Sequence, residues 1–124
     1  MIDFNNAAYA KLSPWDLAQA QGELQDILVT DEVIHRAFKG IRDSVTFTNR
    51  RLIALNVQGI TGKKKDYTSL PYSKIQAFSV ETAGTFDLDS ERELWFSGLG
   101  RVKLEFSRGV DIRGLNRLIG DQVL

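Results

Sequence analysis

The chain has 124 residues, 43% of them hydrophobic, including seven Phe and two Trp: one domain's length, apolar enough to bury a core without metal or disulfides and to exclude global disorder. Sixteen basic residues balance sixteen acidic ones, which removes the net positive charge expected of a nucleic-acid binder. Cysteine is absent, so a disulfide framework, a thiol nucleophile and a cysteine-bearing zinc site are excluded.

Met1 to Asn5 shows no basic segment leading into an apolar run, and no stretch of ~18 apolar residues follows, so neither a signal peptide nor a membrane-spanning helix is expected. A soluble cytoplasmic domain is the resulting expectation. Residues 1–28 read as a helical segment ahead of a β domain over 29–124. Asn5 to Lys11 suggests a short helix. Ser13-Pro14-Trp15-Asp16 reads as a helix start, with Ser13 as cap and Pro14 at the first helical position. Leu17, Ala20, Leu24, Ile27 and Leu28 then recur at helical spacing, interrupted by Gly22.

From Asp31 the pattern turns to strands. Glu32 to Ile41 forms a first strand, and Gly40 to Asp43 a tight connection. Val45 and Phe47 alternate with Thr46 and Thr48, the polar tetrad Thr48-Asn49-Arg50-Arg51 follows, and Leu52 to Leu55 resumes the apolar run. That is a hairpin, around which the rest of the chain is expected to close. Gly59 to Gly62 marks a turn, and Lys63 to Thr68 an edge strand whose lysines discourage pairing with other chains. Pro71 is expected to stop that ladder. Lys74 to Thr82 resumes strand composition, with Gln76, Phe78 and Val80 on one face. Glu93 to Ser97 is another strand. Arg101 to Arg108 alternates cleanly, with Val102, Leu104 and Phe106 inward. Asp111 caps a final amphipathic helix from Ile112 to about Gln122. The sum is a mainly β fold: a seven-stranded, partly open barrel of two antiparallel sheets, plugged by the C-terminal helix.

The segments FTNRRLI (47–53), GITGKKKDY (59–67), SLPYSKIQAFSVETAGTFDLDSE (69–91) and ELWFSG (93–98) resemble the bacterial pleckstrin-homology domain family, over residues from about 24 to 124. The resemblance implies a pleckstrin-homology-like barrel and a small binding or scaffolding module that assembles into homo-oligomeric rings. It implies no catalytic residues and no cofactor.

Residue chemistry adds several candidates. His35 stands on the first strand with no serine or carboxylate motif beside it, so a structural role is the better reading. Asp87, Asp89, Glu91 and Glu93 form an acidic run, but Arg92 occupies the place where a calcium loop needs glycine, and a solvated loop is expected. Gly59-Ile60-Thr61-Gly62-Lys63-Lys64 lacks the spacing of a phosphate loop. Arg50, Arg51, Lys63, Lys64 and Lys65 are the candidates for binding an anion or lipid head group, each contributing roughly 1 kcal/mol near an anionic surface. Edge protection is their plainer reading. Eukaryotic relatives of the superfold place basic residues around their first hairpin, where this chain has only Lys39 and Arg42. Trp95, flanked by inward Leu94 and Phe96, points outward and requires a partner surface, either another subunit or the N-terminal helix. The expectation is therefore a non-enzymatic module that binds itself, with other proteins and an anionic membrane as the alternative partners and nucleic acid as none.

Overall fold

The computed structural model describes residues 2, 4, 8–58, 64–81, 90–96, 98–107 and 109–124. Among them, eight strands form one curled sheet in the order β5-β4-β3-β2-β1-β8-β7-β6. The strands are β1 (Ala8–Pro14), β2 (Ile34–Lys39), β3 (Asp43–Thr48), β4 (Arg51–Gln58), β5 (Lys64–Pro71), β6 (Ile75–Glu81), β7 (Ser90–Phe96) and β8 (Gly100–Phe106). Two helices, α1 (Leu17–Leu24) and α2 (Ile112–Val123), complete the architecture. The mainly β, pleckstrin-homology-like barrel with its terminal plug is as expected; the strand count is eight rather than seven.

The extra strand is β1, and it corrects the helical expectation for residues 8–14. Its alanines favour a helix locally, but β2 and β8 each have an open edge, and pairing both outweighs propensity. Tyr9 and Leu12 pair in parallel with Leu104 and Phe106 of β8, whereas Ser13 and Pro14 pair antiparallel with β2. Within the β8 pairing, between Tyr9 and Leu12, the strand bulges, and Lys11 there has a φ of 55°. The bulge turns one strand from one half-sheet to the other. Seams of 2.8 Å (Ser107 N–H to Leu12 O) and 2.9 Å (Trp15 N–H to Ala37 O) continue the ladders beyond the strand ends.

The helix start also moves. Asp16, not Ser13, caps α1, accepting the Gln19 N–H at 3.1 Å. Ser13 instead donates its hydroxyl to Lys39 O, because Pro14 is held in the β1–β2 ladder. Pro71 likewise ends inside β5, opposite Arg51. β5 is the terminal strand of the sheet, so its missing N–H removes no ladder bond.

The concave face holds the core. Leu12, Val45, Phe47, Leu52, Leu94, Val102, Leu104 and Phe106 are fully buried, and Leu115 and Ile119 of α2 plug the same cluster. Phe38 meets Phe106 edge-on at 4.9 Å and Phe47 at 6.1 Å. Ile2 enters this core too, its N–H donating to Thr68 Oγ1 at 3.1 Å. The α1 helix seats Ala20 and Leu24 on the outer face of the β2–β5 half, and its Glu23 reaches Lys65 and Tyr67 on β5. That second layer explains why Ala37, Thr46, Ile53 and Leu55 are buried although they face away from the main core.

One polar cluster ties the α1–β2 connection to the β3–β4 hairpin. Arg51 donates from Nε (2.9 Å) and Nη2 (2.8 Å) to the two oxygens of Glu32. The Thr48 hydroxyl (2.7 Å) and the Val29 N–H (3.0 Å) donate to the same carboxylate. Arg51 also reaches Ser69 and Ile27 O, and Tyr72 donates to Thr48 O at 2.8 Å. The Glu32 side chain is 0% exposed and that of Arg51 is 16% exposed. Burial alone would push the Glu32 carboxyl up, but the bonds from Arg51, Val29 and Thr48 outweigh it and hold the group at about 2. Because this value lies below the ordinary 4.5, the stabilisation is complete above pH ~5 and is lost as pH falls from about 4.5 towards 2.

Urea unfolding tests this pair. Glu32→Ala, which strands a buried guanidinium, is expected to cost about 3–5 kcal/mol at pH 7. Glu32→Gln is expected to flatten the acid limb of stability between about pH 5 and 2, an effect of about 3 kcal/mol in the native chain. An unchanged midpoint in the first variant, or an unchanged acid limb in the second, would contradict the assignment.

Candidate functional site

Of the five basic candidates, the four described ones do not form one patch. Arg50 is exposed in the β3–β4 turn, and Arg51 is committed to Glu32. Lys65 pairs with Glu23 at 2.7 Å, Lys64 is exposed at the start of β5, and Lys63 lies outside the described residues. Arg51 pairs across the ladder with Pro71 and Gln58 with Lys64. The two ends of β4 are therefore seven residue steps apart, about 24 Å. Register, which sequence proximity does not reveal, separates the arginines from Lys64 and Lys65.

His35 is exposed on β2 beside an open groove of about 230 Å³, lined largely by Pro14, Trp15, Leu17, Ala37 and Phe38. No carboxylate or hydroxyl is bonded to it among the described residues. Asp87 and Asp89 lie outside the described residues, and so does the Gly59–Lys63 loop (residues 59–63); of Glu91 only the backbone, in β7, is described. Glu93 faces Arg101 at 3.6 Å across the outer surface. No group of three or more metal-ligating side chains occurs among the described residues, and no helix there is long and apolar enough to cross a membrane.

Trp95 takes the orientation expected of it. Leu94 and Phe96 are buried in the core, and Trp95 lies half-buried on the opposite face between Ala77 of β6 and Arg101 of β8. The N-terminal helix does not supply its partner surface, because α1 sits on the β2–β5 half, across β1 from β7.

A second feature went unnoticed in the sequence. Arg92 is 0% exposed, on the core face of β7. Its Nη2 donates to Asn116 Oδ1 of α2 at 2.6 Å, and its guanidinium carbon lies 5.7 Å from the centre of the Phe78 ring. Nε and Nη1 have no hydrogen-bond partner, and no carboxylate neutralises the charge among the described residues. Burial pulls the guanidinium down to about 10, still cationic at neutral pH. In front of Arg92, between β6 and α2, opens a groove of about 600 Å³. Phe78 and Val80 form its sheet wall, and Arg113, Asn116, Arg117 and Gly120 its helix wall, with Asp121 and Leu124 at the far end. Spacings of three, four and seven residues put those four helix positions on one face of α2. A signal for Arg92 was present: it shares parity with Leu94 and Phe96, and so must face inward with them.

A curled sheet with a filled interior, a helical plug and open outer surfaces defines a pleckstrin-homology-like module. The chain belongs to the bacterial PH domain family, whose model matches residues 3–123. That span includes β1 and α1, which the resemblance read from residues 24–124 left out. Among its relatives is the uncharacterised protein YjqA of Bacillus subtilis, 42% identical over 120 residues, covering 95% of this chain and 96% of that one. Among solved structures, a DUF1696 family protein with a pleckstrin-homology domain from Shewanella loihica superposes with a TM-score of 0.82 at 40% identity, covering 94% of this chain and 100% of that one. A pleckstrin homology domain from Shewanella amazonensis gives 0.69 at 42% identity, covering 96% and 93%.

A buried charge with no counter-ion among the described residues adds no stability through them. Arg92→Met, of similar reach but apolar, is expected to raise unfolding stability by about 1–2 kcal/mol in urea titrations. A loss of 3 kcal/mol or more would mean that the guanidinium has compensation within the fold.

Proposed function

We propose that the chain is a non-enzymatic binding and scaffolding module that self-associates into a closed cyclic homo-oligomer. The observation that carries this reading is Trp95, a large aromatic half out of the sheet face that α1 leaves open. Such a side chain carries ~150–250 Å² of surface that favours burial. Ala77 beside it leaves room for an inserting group. Glu93, Arg101, Lys103 and Glu105 offer both signs of charge on the same face, which suits a contact between identical chains. A head-to-tail contact repeats around an axis and closes when its rotation permits. Family membership supports a module of this kind. Attachment to anionic lipid through Arg50, Arg51 and Lys63 to Lys65 draws less support, since two of the five already hold carboxylates.

Light scattering coupled to size exclusion tests the proposal. The native chain is expected to elute at a multiple of 14.0 kDa, and Trp95→Glu to elute as a monomer with unchanged far-ultraviolet circular dichroism. A native monomer at high concentration, or a folded Trp95→Glu variant of undiminished mass, would defeat it.

A further inference from the structure

The two edges of the sheet are built differently. β5, at one end of the strand order, carries the lysines Lys64 and Lys65 and ends on Pro71, devices that keep an edge from pairing with other chains. β6, at the other end, reads Ile-Gln-Ala-Phe-Ser-Val-Glu, with no proline and a single charge at its last position. Its free side pairs with no strand among the described residues, so a row of backbone donors and acceptors stands open along it. Beside that edge lies the groove under α2. Among the described residues its charges are lopsided: Arg113 and Arg117 make no ion pair, Arg92 lies behind the wall, and Asp121 is the single carboxylate lining it.

Arg92 sharpens the preference. Its Nη2 donates to the Asn116 side-chain oxygen, which leaves the amide N–H₂ of Asn116, a residue of the groove wall, as a donor. The buried guanidinium sits in low dielectric, where its field reaches the groove with little screening. The groove wall is thus donor-rich and cationic beside an apolar strip of Phe78 and Val80.

We propose that the groove between β6 and α2 binds an extended acidic segment of a partner polypeptide, which adds as a strand to the open edge of β6 and sets its carboxylates against Arg113, Arg117 and the Asn116 amide. Strand addition satisfies the exposed backbone of β6, and alternation of the incoming segment delivers every second side chain to the groove. The contact uses the β6 edge and the α2 face, apart from the Trp95 surface, and does not depend on self-association.

A fluorescein-labelled peptide with blocked ends, TEVEVET, is the probe, with TQVQVQT and TKVKVKT as controls. Fluorescence anisotropy is expected to show saturable binding of TEVEVET below 1 mM at 50 mM salt, several-fold weaker at 500 mM, and none for TKVKVKT. The Arg113→Glu/Arg117→Glu variant is expected to lose at least tenfold in affinity. Gly120→Trp gives a second handle, because a Cβ at Gly120 meets nothing within 4 Å and the indole fills the groove without disturbing the helix. It too is expected to lose at least tenfold while remaining folded. Amides of β6 are expected to gain protection from hydrogen exchange when TEVEVET binds. No binding up to 1 mM, equal binding of all three peptides, or full affinity in either variant would overturn the proposal. So would arginine-dependent binding to phosphatidylserine vesicles without peptide binding, which would assign the groove to a membrane surface. Particle mass measured on the same samples reads self-association separately.

Discussion

The whole architecture depends on β1 serving two half-sheets at once. β2 to β5 form one antiparallel run and β6 to β8 another, and the strand joining them comes from the opposite end of the chain from β8. The bulge at Lys11 lets the same short strand bond β8 with its first residues and β2 with its last. Leu12 and Tyr9 meanwhile deliver their side chains to the common core. Once the halves are joined, the concave side closes over Phe38, Phe47 and Phe106, and α2 fills the remaining mouth. The core is filled by packed side chains, and the functions proposed for the chain accordingly rest on its outer surfaces: the face bearing Trp95, the β6 edge and the groove beneath α2.

Two buried arginines illustrate how polarity divides between structure and function. Arg51 is matched donor for acceptor: a carboxylate takes two of its bonds, and Ser69 and a carbonyl take the others. A pair so complete is costly to break and fixes the hairpin against the α1–β2 connection. Among the described residues, Arg92 has one amide oxygen, one aromatic face and two nitrogens without a hydrogen-bond partner. Folding alone offers no reason to keep it, since an apolar side chain of the same length would fill the site at lower cost. The charge beneath the groove wall, with Arg113 and Arg117 above it, gives that reason.

Much of this was legible in residue order. The β3–β4 hairpin followed from Val45 and Phe47 alternating up to a polar tetrad, β8 from the alternation of Val102, Leu104 and Phe106, and α2 from Asp111 ahead of an amphipathic stripe, whose carboxylate caps Gly114 N–H at 3.0 Å. Local signals failed where distant partners decided. Residues 8–14 look helical by themselves, and become a strand because two strand edges far along the chain lack neighbours. Gln76 was expected to share a face with Phe78 and Val80, but a bulge between Ile75 and Ala77 turns it outward. Composition groups Arg50 and Arg51 with the lysines, and the β4–β5 register pulls Lys64 and Lys65 away from them. Arg92 stands out in the sequence only as the residue in place of a calcium loop's glycine, although its parity with Leu94 already assigns it to the core face.

Native-state hydrogen exchange at the β1 seam tests the central claim most directly. If β1 is what makes two half-sheets into one, the Ser107 and Trp15 amides, which bond Leu12 O and Ala37 O, exchange only through global unfolding, with the same free energy as the Leu94 amide in the middle of β7. Exchange of those two amides through a low-energy opening that leaves Leu94 protected would show β1 to be a detachable arm, and would contradict the account.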